Sequence, residues 1–289
     1  LNNILDELKL NALVITDPYN MRHVSGFRGG EGALYISATQ KVLITDSRYT
    51  EQAGKESDFT VIEENRAHNR QTILKECMEK ETVSGDFHMG YEDQSMLCCE
   101  FDRMKAALPV QVWTPLGTKI DDLRQIKTEE ELTYLARAEE IGDKAFEKLL
   151  KVVKPGMTEL EVAAELEYLM KKEGAEDLSF NTIIASGLNS SMPHAIPGYK
   201  KLEVGDFVTC DFGCKYKGYC SDMTRTFVLG KASDKQKEIY NVVLKAQLAG
   251  LAAVKAGVSG ASVDKVARDI ITEAGYGDCF GHGLGHSVG

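Results

Sequence analysis

The chain has 289 residues, more than one ordinary domain needs and enough for two. Its 44 acidic side chains outnumber the 34 basic ones, and a net charge of -10 is ill suited to a phosphate backbone, so nucleic acid is not expected as a partner. The 43% of apolar residues can build sizeable cores, but no run reaches the length of about 18 apolar residues that would suggest a membrane span.

The opening LNNILDELKL lacks the basic and apolar regions of a signal peptide, and it begins at Leu1 rather than Met, so at least one preceding residue is expected. LDELKLNALVIT reads as a short helix and an apolar strand. GALYISATQKVLITD reads as two strands about a polar turn at Ala38–Gln40. RYTEQAGKE is a helix, FTVIEE a strand and NRQTILKECMEK a helix, a rhythm that implies a small α/β domain with a partly parallel sheet. The glycine-rich stretch at 26–32 does not open a helix and is read as a loop rather than a phosphate cradle. His23 and Asp46-Ser47-Arg48 are read as structural.

A Pro-Gly segment within 114–127 marks a boundary, giving an N-terminal domain of residues 1–122 and a second of 123–289. Thr128 with Glu131, and Thr158 with Glu161, form two capping boxes opening helices to about Val153 and Lys172. Strand-like NTIIASG, DFVTCDFG and SDMTRTFVLG follow, then helices at roughly Asp234–Lys255 and Val263–Glu273, then a glycine-rich strand, CFGHGLGHSVG. Helix, helix, strands thus recurs, a repeat of pattern without sequence identity, and the second set of strands is expected to continue past Gly289.

Seven cysteines, an odd number with no CxxC pair, read as free thiols in a reducing compartment, so a cytoplasmic protein is expected. The Cys210, Cys214, Cys220 spacing does not suit a structural zinc site.

Chemistry concentrates in the second domain. Asp211 and Asp222 lie within apolar strand segments either side of Lys215-Tyr216-Lys217-Gly218, a hairpin tip. A turn centred between Tyr216 and Lys217 sets the two aspartates directly opposite, with Cβ atoms roughly 4.5–5.5 Å apart. Carboxylates that close repel unless one is protonated or a cation lies between them. The bland alternative is two solvent-facing strand residues, with Asp222 paired to Arg225. His282 and His286, four apart among glycines, share a face if that segment is extended, and imidazoles with carboxylates suit Zn, Mn, Co or Fe. His194, between Pro193 and Pro197, is held extended or in a turn, and alone would be an ordinary loop histidine.

FNTIIASGLNSSMPHA, VTCDFGCKYKGYCSDMTRTF and GHGLGHSVG, in that order, resemble the successive signatures of the M24 metallopeptidases, the superfamily of methionine aminopeptidases and Xaa-Pro peptidases, from about Arg124 to Gly289. RQIKTEEEL and residues 1–120 resemble the Xaa-Pro branch with its creatinase-type N-terminal domain, which methionine aminopeptidases lack. The resemblance implies an α/β N-terminal domain and an α+β pita-bread catalytic domain whose last part, with two glutamate ligands and a further histidine, falls beyond Gly289. It implies two divalent metal ions, manganese first and cobalt or zinc as alternatives. Asp211, Asp222 and His286 would be metal ligands, with Asp222 bridging. His282 would contact substrate and steady the tetrahedral intermediate, and His194 would line the pocket. A homodimeric Xaa-Pro aminopeptidase acting on peptides is expected, with the N-terminal domain limiting substrate length. The alternatives are an Xaa-Pro dipeptidase and, from another class, a metal-free creatinase-like hydrolase or a non-catalytic binding relative. A chain ending at Gly289 is expected to bind metal weakly and to be inactive.

Overall fold

In the computed structural model, which describes residues 1–289, the alternating apolar and amphipathic stretches divide into two units, Leu1–Lys127 and Thr128–Gly289. The first contains α1 (Asn2–Leu8), β1 (Ala12–Ile15), α2 (Pro18–Ser25), β2 (Ala33–Ser37), β3 (Lys41–Asp46), α3 (Thr50–Glu56) and β4 (Thr60–Glu64), then α4 (Arg70–Glu79), β5 (His88–Tyr91), α5 (Cys98–Ala107), β6 (Val112–Pro115) and α6 (Lys119–Asp122). Its sheet runs β4-β3-β2-β1-β5-β6 and is parallel except for β2, which is antiparallel to both neighbours. Strand β1 is an unbroken apolar run because both its faces are covered: Leu13 and Ile15 enter one core, Ala12 and Val14 the other.

The second unit contains α7 (Glu129–Leu149), α8 (Glu159–Glu173), β7 (Asp177–Leu178), β8 (Ile183–Ser186), β9 (Phe207–Phe212) and β10 (Cys214–Tyr216), then β11 (Tyr219–Cys220), β12 (Met223–Val228), α9 (Asp234–Ala253) and α10 (Gly260–Glu273). Both expected capping boxes are present, each with its threonine hydroxyl accepting from the backbone N–H three residues on and the glutamate returning the bond. Ser233 and Gln236 form a third, on α9. Helix α7 buries Ala138, Ile141, Ala145 and Leu149 at helical spacing, and α8 buries Val162, Leu166 and Met170. These meet Val208, Cys210 and Phe212 of β9 in one core, where the Phe212 ring stacks on Phe146 at 5.9 Å. Burial alternates along β9, so Phe207, Thr209 and Asp211 turn to the face away from that core. Strands β8, β9 and β12 form one antiparallel sheet and β7, β10 and β11 another. Helices α9 and α10 pack on each other through Ala246, Ala267 and Ile271.

Residues 280–289 are not a strand, contrary to the sequence expectation. Their backbone groups bond to α10 instead of a ladder. Arg268 donates to the carbonyls of Phe280 (2.7 Å) and His282 (2.9 Å), and the Leu284 N–H donates to Asp264 (2.9 Å). The Leu284 side chain packs against the α9–α10 pair.

Candidate active site

The hairpin carrying the two aspartates turns at Lys217 and Gly218, both with positive φ (47° and 80°), a two-residue primed turn between the pairs Tyr216–Tyr219 and Lys215–Cys220. The turn centre is therefore one residue later than the sequence reading placed it, because a Tyr216–Lys217 centre would force Tyr216 into the left-handed region. Moving the centre by one residue shifts the pairing by two. Asp211 faces Thr224, and counting on from the Met223–Phe212 pair, Asp222 falls beside Gly213, diagonal to Asp211. The two-residue side-chain period makes this shift harmless: both carboxylates stay on one face, as a one-residue slip would not have allowed. Gly213 is needed between them, since a Cβ there would lie 2.0 Å from the Ser221 carbonyl oxygen.

Asp211 is half-buried, and its Oδ1 is buried with no hydrogen-bond donor. Burial raises its pKa. Thr224's hydrogen bond pulls the other way, Asp222 adds to the rise through charge repulsion, and the His194 and His286 imidazoles lower it; the net direction is upward. His286 Nε2 lies 3.4 Å from Asp222 Oδ2. His194 and His282 meet edge to face, ring centroids 5.9 Å apart. The five residues singled out from sequence thus fall into two contacting pairs, with Asp211 sensing three of the others. They do not close into a group of three donors about one point. A buried carboxylate oxygen without a donor, beside a second carboxylate and an imidazole, nevertheless fits a divalent cation, which would relieve both the repulsion and the missing partner.

Sequence reading missed the supports of this site. Glu139 on α7 accepts from the Asp222 backbone N–H at 3.3 Å. Its pKa is raised first by burial, with Asp143 and Asp222 adding to the rise. Arg225 donates to Asp143 at 2.9 Å rather than to Asp222, so the bland pairing considered from sequence is not the one formed. Asp264 and Arg268, four apart on α10, form an ion pair at 2.7 Å while holding the histidine segment. Only that i,i+4 charge spacing was visible in the sequence, and it does not reveal what the pair grips.

Residues 133–289 match the description "Metallopeptidase family M24", and residues 1–126 match "Creatinase/Prolidase N-terminal domain". The chain belongs to metallopeptidase family M24. It is 40% identical to the uncharacterized peptidase YqhT of Bacillus subtilis, covering 100% of this chain and 81% of that protein. It is 38% identical to an Xaa-Pro dipeptidase of Pyrococcus furiosus, covering 99% and 79%. Among solved structures it is similar to an Xaa-Pro dipeptidase from Bacillus anthracis (39% identity, TM-score 0.93, 100% of this chain and 80% of that one). It is also similar to an X-Pro aminopeptidase from Thermotoga maritima (36%, TM-score 0.91, 99% and 82%). The fold is that of an M24 pita-bread peptidase with a creatinase-type N-terminal domain, as the sequence resemblance implied.

Proposed function

We propose that this M24 peptidase is a metal-dependent exopeptidase that hydrolyses the bond between an N-terminal residue and a following proline. The observation that carries the reading is the donorless, buried Oδ1 of Asp211 on the same face as Asp222, whose Oδ2 lies 3.4 Å from His286 Nε2. Asp211, Asp222 and His286 would hold two divalent ions, with manganese the first candidate, ahead of cobalt and zinc. Such ions supply Lewis acidity and water acidified to near neutrality. His282 would donate an N–H to the oxyanion developing on the scissile carbonyl. His194, edge to face with His282, would line the same pocket and hold that ring's orientation. The acidic pair would also attract a free peptide amine, which favours trimming from the N-terminus. The enzyme would act as a homodimer in the cytoplasm, in keeping with its seven free cysteines.

A second reading, cleavage of dipeptides only, is favoured by the relatives from Pyrococcus furiosus and Bacillus anthracis, both described as Xaa-Pro dipeptidases. Assaying the native protein, with any chain it carries beyond Gly289, on Ala-Pro, Ala-Pro-Ala and Ala-Ala-Ala with added Mn, Co or Zn separates the two. Cleavage of both proline peptides but not Ala-Ala-Ala, abolished by chelator, is the expected result. Cleavage of Ala-Pro alone selects the dipeptidase, and no cleavage of either proline peptide with any of the three metals overturns the proposal.

A further inference from the structure

The loop that carries His194 has no core of its own. Leu188 and Ile196 are 90% and 87% exposed, and of the loop's apolar side chains only Ala195 is buried. Packing therefore does not fix where His194 sits. Polar bonds at the base of the loop do, and they converge on one side chain. Glu159, the first residue of α8, is 1% exposed. Its Oε1 accepts from the Ser186 N–H (2.8 Å), the Ser186 hydroxyl (2.8 Å) and the Asn189 amide (3.0 Å). Its Oε2 accepts from the same amide (3.1 Å) and from the Gly198 N–H (3.3 Å). The chain entering the loop and the chain leaving it are thus tied to a single carboxylate.

Backbone bonds reinforce the tie: the Glu159 and Leu160 N–H groups donate to the carbonyls of Lys200 and Gly198, both at 3.0 Å. These are orphan donors of the first turn of α8, where the helix dipole also favours a negative charge. Lys200 donates to the Ser186 hydroxyl at 2.9 Å, leaving that hydroxyl's own proton for Glu159. A carboxylate this buried is tolerated only when its lone pairs are filled, and here every donor belongs to the loop or its ends.

We infer that Glu159 is a positioning residue for catalysis: it sets the place of His194 and, through the ring contact, the orientation of His282. This rests on the proposed role of those histidines. Glu159→Gln keeps the shape but turns an amide N–H₂ toward donors, either Asn189 and Gly198 or Ser186. Its test is a double-mutant cycle on Ala-Pro hydrolysis with Glu159→Gln, His194→Ala and the pair. Glu159→Gln should lower kcat by up to about 100-fold, the effect of displacing a catalytic group by about 1 Å, with KM little changed, and should add nothing in the His194→Ala background. An equal factor in both backgrounds, or no loss in the single variant, overturns the inference and leaves the assignment of His194 standing. If His194→Ala is fully active, that assignment falls, and the readout becomes the histidine NMR spectrum: Glu159→Gln should shift the His194 and His282 ring signals and leave those of His23, His68 and His88 in place. Unmoved His194 and His282 signals overturn it. Should Glu159→Gln fail to fold, Asn189→Ala removes two of the same bonds and is read in the same way.

Discussion

Neutralising Asp211 should stabilise the metal-free protein while removing its response to metal. Asp211 and Asp222 are diagonal neighbours across the hairpin, a separation of about 7 Å at Cα. Two unit charges at that distance repel by about 2.4 kcal/mol at an effective dielectric near 20. Both groups keep some solvent, and His194 and His286 offset part of the field at Asp211, so about 1 kcal/mol remains. The sign follows from linkage. A carboxyl whose pKa is raised on folding favours the folded state below its unfolded pKa and loses that contribution as pH rises through the folded value, so near neutrality its charge opposes folding. Asp211→Asn in chelator should therefore melt about 2–4 °C above the parent protein. With manganese at about 100 times Kd the parent should gain about 2.7 kcal/mol, and the variant should gain almost nothing. Scanning calorimetry with and without the metal measures both effects. A variant less stable than the parent in chelator, or one that keeps the full metal-induced rise, refutes the reasoning.

Gly213→Ala should destabilise the second unit by about 1–3 kcal/mol in urea titrations, because the clash is with the Ser221 backbone rather than a movable side chain, and it should weaken manganese binding by spreading the aspartates. Arg268→Ala removes the donors to the Phe280 and His282 carbonyls, so amide exchange over residues 280–288 should accelerate and kcat should drop by up to about 100-fold; unchanged exchange would contradict the clamp. In the first unit, Glu92 is 4% exposed and accepts from the Thr16 and Asp17 N–H groups and the Asn20 amide. Glu92→Ala strands these donors and should cost about 2–4 kcal/mol of stability by chemical denaturation. Burial raises the Glu92 pKa, so its contribution to stability should decline as pH rises through that elevated value.

Where local chemistry decides the structure, the sequence could be read directly. The pairs Thr128–Glu131 and Thr158–Glu161 mark helix starts because the same side chains close the capping bonds. Asp17-Pro18 carried an equally local signal for α2, a cap followed by proline at the first helical position, and it was overlooked. Strands β5 and β6 escaped because HMGY and VWTP break their short apolar runs with glycine and proline, whereas the equally short ALVI of β1 is uninterrupted. At the candidate site, residue types and order singled out Asp211, Asp222, His194, His282 and His286 for attention, but the pairing register waited on which turn residue could take a positive φ. The histidine segment was misread as a strand because alternating glycines mimic a two-residue period, whereas Arg268 and Asp264 decide where its backbone groups go. Glu159 was invisible for a related reason: a glutamate in the first turn of a helix looks like ordinary dipole complementation until the loop it grips is seen.

The most direct test of the account is anomalous diffraction at the manganese edge from crystals of the protein grown with Mn. The account predicts two peaks, each about 2.0–2.3 Å from its ligating atoms, one or both touching Asp211 and Asp222 and one touching His286. Manganese bound elsewhere, or none near Asp211 and Asp222 in a preparation that cleaves Ala-Pro, would contradict it.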